Sequence, residues 1–422
     1  MTIPPVTDRF DMDQTDSLSS KSVRSWLDCI ILGLTYYYLT SLIVALGFLF
    51  GGDLINPAGT TGHRFGDTSE TYANWDGQWY VSIATRGYHY EPERHSSVAF
   101  FPAYPLIGGL LSRVTGLKPD LSLLILSNAS FLAAMILTAR YVSSTRPDED
   151  PRLAHFVLLS MGLTPTSFFF RVAYSEGLFL ALLMLVLYGL HRSARPTMIA
   201  FFVGLATATR PLGVALIPSI AIHEWKRRTG IRSFALRMLF LIPLSSWGIL
   251  AYMGYLYVQY KDPIAFAHAQ KIWRLRPESS LMDRAVSLIA LEPIRAIYDS
   301  NNRFHWEKIS RTSNPILTLR SVDSCYFLAA GALIVYGAIK RRLSSHEVVV
   351  SALLLLIPYG TIGYEQYMQS MARYSTTAMP IYMVLGLILI RTPIPVLAFL
   401  TAISGFLLGI DTALFSAWFL LI

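Results

Sequence analysis

The chain has 422 residues, 53% of them hydrophobic and only 15% charged. Soluble domains carry roughly 25% charged residues, and a single interior of this length cannot hold so large an apolar fraction. A soluble single-domain fold is therefore excluded, and lipid must supply the missing apolar surroundings. The net charge is +8. Its Lys and Arg residues lie in short loops between apolar segments rather than in one basic domain, a pattern of membrane orientation and not of nucleic-acid binding.

In chain order, a polar leader (residues 1–28) is expected in the cytoplasm. Apolar segments approaching the ~20 residues of a helical span follow at 29–50, 121–142, 153–170, 177–190, 197–222, 238–258, 322–339, 348–362, 376–390 and 395–410. The first is too long for a signal-peptide core and lacks a small-residue cleavage site, so it reads as an uncleaved span. The stretch 99–114 contains Pro102 and Pro105 and reads as a re-entrant or juxtamembrane element.

An inside N-terminus places Arg146 and Arg152, Arg192 and Arg195, Lys226-Arg227-Arg228, Lys340-Arg341-Arg342 and Arg391 on the cytoplasmic side. This requires 197–222 to break at Thr209-Arg210-Pro211 into two shorter helices. The expected fold is an all-α polytopic membrane protein with a single transmembrane domain over 29–422. Its outer loops lie at 51–120 and 259–320. The same threading leaves the polar motifs outside, at 51–98, 171–176, 208–213, 259–320 and 364–375. A transporter tends instead to place ionisable groups near the midplane.

Asp76, in Asn74-Trp75-Asp76-Gly77-Gln78-Trp79-Tyr80, is the foremost candidate for chemistry. In a helix over 75–88, at ~100° per residue, Trp75, Trp79, Tyr80, Ile83 and Ala84 form one apolar face, and Asp76 projects from within it. Desolvation among aromatics would make it a stronger base. The alternative is a first-turn acid favoured by the helix dipole, with Asn74 as its cap. Glu176 opens another apolar segment, either as a second site carboxylate or as a helix-start acid capped by Ser175.

Arg210 and Arg373 sit at outer ends of apolar segments, against the positive-inside trend, and suit bidentate phosphate binding. In His268-Ala269-Gln270-Lys271-Ile272-Trp273, Gln270 and Lys271 can meet a phosphate or sugar, and Trp273 can stack on a sugar ring. The competing reading there is an interfacial amphipathic helix. The nine histidines show no HExxH or paired metal spacing, and Cys29 and Cys325 form no ligand set. With no GxGxxG or Walker motif either, no metal or nucleotide cofactor is expected.

Taken together, several motifs resemble, in order along the chain, the family of the second mannosyltransferase of GPI-anchor biosynthesis (the PIG-V family) and its prokaryotic relatives. They are Trp75-Asp76-Gly77-Gln78-Trp79-Tyr80, Ala99-Phe100-Phe101-Pro102-Ala103-Tyr104-Pro105-Leu106, Thr164-Pro165-Thr166-Ser167-Phe168, Ala173-Tyr174-Ser175-Glu176 and Ala208-Thr209-Arg210-Pro211-Leu212-Gly213. Asp262-Pro263 with His268-Ala269-Gln270 and Trp273, and then Arg373-Tyr374, complete the set.

The resemblance implies a GT-C-type membrane glycosyltransferase with roughly ten or more transmembrane helices and helical outer loops. It implies a polyprenyl-phosphate sugar donor, typically dolichol-phosphate mannose, used on the non-cytoplasmic face of what is expected to be a prokaryotic cytoplasmic membrane. Asp76 takes the place of the family's outer-loop acid and would act as general base in an inverting transfer. Trp75, Gln78, Tyr174, Glu176, Arg210, His268, Gln270, Lys271, Trp273, Arg373 and Tyr374 are the expected substrate-binding residues. The acceptor would be a glycolipid or another hydroxyl compound. The competing functions are a transporter or flippase of lipid-linked sugars and a non-catalytic glycolipid-binding relative.

Overall fold

A computed structural model describes residues 24–54, 68–310 and 313–418, and these are helical almost throughout. The helices, in order, are α1 (Trp26–Leu54), α2 (Thr68–Thr71), α3 (Asp76–Arg86), α4 (Ala103–Thr115), α5 (Pro119–Thr145), α6 (Leu153–Leu163) and α7 (Glu176–His191). Then come α8 (Pro196–Thr209), α9 (Ile217–Lys226), α10 (Ile231–Ser245), α11 (Trp247–Tyr260), α12 (Ala265–Gln270), α13 (Leu281–Ile289), α14 (Glu292–Tyr298) and α15 (Trp306–Ile309). The series closes with α16 (Asp323–Ile339), α17 (Ser345–Pro358), α18 (Met371–Thr376), α19 (Pro380–Leu389) and α20 (Ile394–Ser416).

Four helical stretches among the described residues are long and apolar enough to cross a bilayer: Trp26–Gly51, Pro119–Thr145, Ser345–Gly363 and Ile394–Ser416. The segment expected as one plain span at 238–258 is instead α10 and α11, bent by 55°. Pro243 removes a helical hydrogen bond just before this bend, and the pair would make a fifth crossing. Five further apolar helices, α6, α7, α8, α16 and α19, are each shorter than 18 residues. The chain is thus a multi-pass membrane protein by the length and hydropathy of its helices.

The main core runs between α5, α6, α7, α8 and α19, where Phe131, Met135, Val157, Leu183, Val203 and Met383 are fully or almost fully buried. Two local features bear on orientation. Glu347 closes a capping box with Ser344 at the start of α17, accepts a hydrogen bond from Tyr141 at 2.8 Å and pairs with Arg146 at 2.9 Å. Arg342 pairs with Glu149 at 2.6 Å, and Lys226 Nζ donates to Ser345 at 2.6 Å. Three of the basic loops assigned to the cytoplasm therefore meet at one place.

As expected, the segment 197–222 does not continue as one helix. α8 ends at Thr209, Arg210 is extended (φ −152°, ψ 146°) ahead of Pro211, and a 3₁₀ turn over Pro211–Leu216 leads into α9. Proline forces its predecessor out of the helical region, which turns Arg210 away from the α8 axis. The stretch 99–114 is a short 3₁₀ turn followed by α4, which packs on α3 and α5.

Candidate active site

The motifs meet where helices begin or end. α3 starts at Asp76 without a side-chain cap, because Asn74 donates instead to the carbonyls of Phe415 (3.0 Å) and Ser416 (3.3 Å) on α20. This overturns the alternative in which Asn74 caps the helix. Trp75 takes φ 57°, ψ −117°, a conformation rare for a bulky side chain. The bend is held on its far side by Tyr174, whose hydroxyl accepts from the Asp76 amide and donates to the Asn74 carbonyl, both at 3.1 Å. Burial, and then the nearby Asp76 carboxylate, push the Tyr174 pKa well up, so it stays a neutral hydroxyl.

α7 starts at Glu176, also without a side-chain cap, since Ser175 Oγ is engaged by the Tyr80 hydroxyl at 2.9 Å. Gly177 lets the start of this helix press on α5: a Cβ there would lie 2.6 Å from the Ser127 carbonyl oxygen. Gly213 does the same after Arg210, where a Cβ would fall 2.4 Å from the Thr207 backbone nitrogen.

The result is one linked set of charges. Arg373 Nη1 donates to Asp76 Oδ2 at 2.6 Å, and its Nε donates to Glu176 Oε1. Arg210 Nη1 forms an ion pair with the same Glu176 oxygen. The Glu176 side chain is fully buried, those of Arg373 and Arg210 almost so, and that of Asp76 is 32% exposed. Burial alone would lower the Arg373 pKa, but the Glu176 and Asp76 carboxylates outweigh it and hold it well above the ordinary arginine value.

Aromatic faces line the cations. Tyr174 lies 4.6 Å and Phe169 5.1 Å from the Arg373 guanidinium carbon, and Tyr374 lies 5.3 Å from that of Arg210. Asp76 does share a helix face with Tyr80 and Ile83, which are buried. Its carboxylate, however, is ion-paired to an arginine rather than held among aromatics alone.

A cavity of about 490 Å³ opens at this cluster. Asp76, Arg210, Arg373 and Tyr374 lie on its wall with Gln270 and Trp273. Part of the remaining lining is apolar, from Leu212, Val214 and Ile249 on one side and Ile357, Pro358 and Ile362 on another. Polar lining that sequence reasoning did not single out comes from Tyr80, Thr361, Gln366 and Gln369.

The remaining expected residues stand apart from the cavity wall. Tyr174 and Glu176 lie behind it and brace Asp76 and Arg373. Trp75 packs near Trp418, with ring centroids 5.3 Å apart, and Gln78 faces outward, exposed. His268 pairs with Asp262 at 2.7 Å, and Lys271 pairs with Glu278 at 3.0 Å beside a smaller cavity of about 210 Å³. Among the described residues, no group of three His, Cys, Asp or Glu side chains is arranged to hold a metal ion.

Residues 63–237 match the model of the mannosyltransferase (PIG-V) family. The resemblance seen in the ordered motifs therefore stands over that segment, which includes Asp76, Glu176 and Arg210. Arg373 and the 262–273 motif fall outside it. A search of curated proteins finds no match to the chain.

Among solved structures, the chain is similar to the oligosaccharyltransferase of Archaeoglobus fulgidus in its apo form (14% identity, 92% of this chain and 56% of that one, TM-score 0.47). It is also similar to the same organism's oligosaccharyltransferase AglB in complex with an inhibitory peptide and a dolichol-phosphate (13% identity, 90% and 56%, TM-score 0.44). A third is ArnT from Cupriavidus metallidurans bound to undecaprenyl phosphate (12% identity, 89% and 77%, TM-score 0.39). The chain spans just over half the length of the oligosaccharyltransferase.

Proposed function

We propose that this chain is a membrane mannosyltransferase that takes mannose from a polyprenyl-phosphate donor and passes it to a hydroxyl acceptor on the non-cytoplasmic side. The observation that carries the reading is the set of Asp76, Arg373 and Arg210 on the wall of a partly apolar cavity, with Glu176 joining the two arginines from behind. Two almost buried arginines suit a phosphate, and the apolar lining beside them suits a prenyl chain. The match to the PIG-V family supports mannose as the sugar. The acceptor, a glycolipid or another hydroxyl compound, would approach past Gln270, Trp273 and Gln366. The five short apolar helices would complete the crossing together with the longer ones, towards the ten or so spans of a GT-C-type fold.

In the proposed reaction the acceptor oxygen attacks the anomeric carbon from the face opposite the phosphate. Its proton passes to the Asp76 carboxylate, the bond from the anomeric carbon to the phosphate oxygen breaks, and the electron pair leaves with polyprenyl phosphate. The configuration at the anomeric carbon inverts. Arg373 and Arg210 stabilise the departing phosphate, so one base and a cationic clamp suffice.

The Arg373–Asp76 pair adds a condition to this scheme. Arg373 Nη1 occupies Asp76 Oδ2 at 2.6 Å, so that oxygen meets an acceptor hydroxyl only once the arginine is engaged elsewhere. The donor phosphate is the natural competitor for that guanidinium. Donor binding would thus release Asp76 as it delivers the sugar.

The test uses the purified full chain in detergent micelles with labelled polyprenyl-phosphate mannose and a panel of lipid, glycan and peptide acceptors. Label should move to an acceptor with inverted anomeric configuration. A transporter of lipid-linked sugars would leave all label on the donor, since micelles have no two sides.

A further inference from the structure

Arg373 stands on a short helix preceded by unusual backbone. Tyr367, Met368 and Ser370 all have left-handed φ values, of 51°, 64° and 65°. Non-glycine residues adopt this region in only a few per cent of cases, so three within four positions require a surrounding that imposes them. Ser370 is also the residue before α18, and its own side chain makes no cap hydrogen bond.

What holds the turn comes from a distant element. Asp323, the first residue of α16, is almost wholly buried. Its Oδ1 accepts from the Ala372 amide at 2.7 Å and its Oδ2 from the Ser370 amide at 3.2 Å. These are N-terminal amides of α18 that the helix itself cannot satisfy.

Three residues earlier, Arg320 Nη2 donates to Gln369 Oε1 at 2.6 Å. The far side is closed by Phe304, stacked on Tyr367 with ring centroids 3.8 Å apart, and by Arg276, whose guanidinium carbon lies 4.3 Å from both the Tyr364 and Tyr367 rings. None of these contacts touches the cavity's charged cluster directly.

We propose that Asp323 is a positioning residue for Arg373: by capping α18 and holding the left-handed turn before it, its carboxylate sets the guanidinium between Asp76 and Glu176. The proposal rests on Arg373 being the phosphate-binding arginine of the reaction proposed above. The sequence signal is the one that marks Glu176, an acid at the head of an apolar helix. Here the helix it serves is not the one it heads.

The experiment compares wild type, Asp323→Asn, Arg373→Ala and the double variant, all as full-length protein in detergent. Asparagine keeps the shape and one acceptor oxygen, but its amide group faces a backbone N–H. Amide exchange over 366–377 should quicken at least tenfold in Asp323→Asn while α5 and the rest of α16 keep their wild-type rates.

Mannosyl transfer should fall about tenfold in kcat in the single variant, with no further loss when Arg373 is already Ala. Losses that multiply in the double variant, or exchange unchanged over 366–377, would overturn the assignment. If wild type transfers no mannose, the reaction reading fails by itself and the exchange comparison still decides whether Asp323 holds the turn. If the Asn chain does not fold, Arg320→Ala, which cuts the neighbouring bond to Gln369, should give the same local quickening, and unchanged exchange would again count against the proposal.

Discussion

Two clusters of charge built from the same kinds of residue differ in how they meet water. Asp76, Glu176, Arg210 and Arg373 come from four separate helix ends and are largely buried. Asp262, His268, Lys271 and Glu278 come from one stretch of chain around α12, and three of the four are 43–73% exposed. Exposed pairs gain little, because water and salt screen them. Buried ones are costly to break, because each lost partner leaves a charge in a poor solvent. The first cluster is therefore the one on which chemistry can be fixed in place, and the second serves mainly to tie down a loop.

Glu176→Ala should show this difference most strongly. It leaves Arg210 and Arg373 facing each other without their shared carboxylate, a change of the class that costs about 3–5 kcal/mol. Unfolding followed in detergent should shift accordingly, and transfer should be lost. Wild-type stability would place the two arginines in better solvent than the structure does.

Arg373→Lys comes next. A lysine cannot reach Asp76 and Glu176 at once through a planar fork, and losing an oriented donor to a developing anion costs about 10²–10³-fold in rate. Transfer measured at saturating donor should fall by that order, with folding retained.

Trp273→Ala should act on the cavity wall without touching the charges. Loss of an aromatic face is worth about 0.5–1.5 kcal/mol, so KM for the acceptor should rise a few-fold while kcat holds. Lys271→Ala and His268→Ala complete the series at the exposed end. Their partners are solvated, so each should cost no more than ~0.5 kcal/mol and leave transfer within about twofold of wild type. A large loss in either would give the exposed loop a direct role in binding.

Much of this architecture was legible in the sequence because it rests on local rules. Apolar length marks the long helices, Pro211 marks the break that aims Arg210, helical phase marks Asp76, and an acid at the head of an apolar run marks Glu176. The bend between α10 and α11 was missed although Pro243 signals it, because hydropathy continues smoothly through the kink. Which charges pair was not legible: Asp76 and Arg373 are 297 residues apart, and no local pattern connects them. Helical phase placed the face of Asp76 correctly but could not supply the arginine that pairs with it. The alternative with Asn74 as a cap does not hold, because its partners lie on α20, 341 and 342 residues away.

The most direct measurement is the rate of mannosyl transfer from labelled polyprenyl-phosphate mannose by Asp76→Asn beside wild type, both shown to be folded. Asparagine keeps the size of the side chain but cannot take the acceptor's proton, so the rate should fall by about 10²–10⁴-fold while donor binding persists. Transfer by the folded variant at a rate close to wild type would contradict the account at its centre.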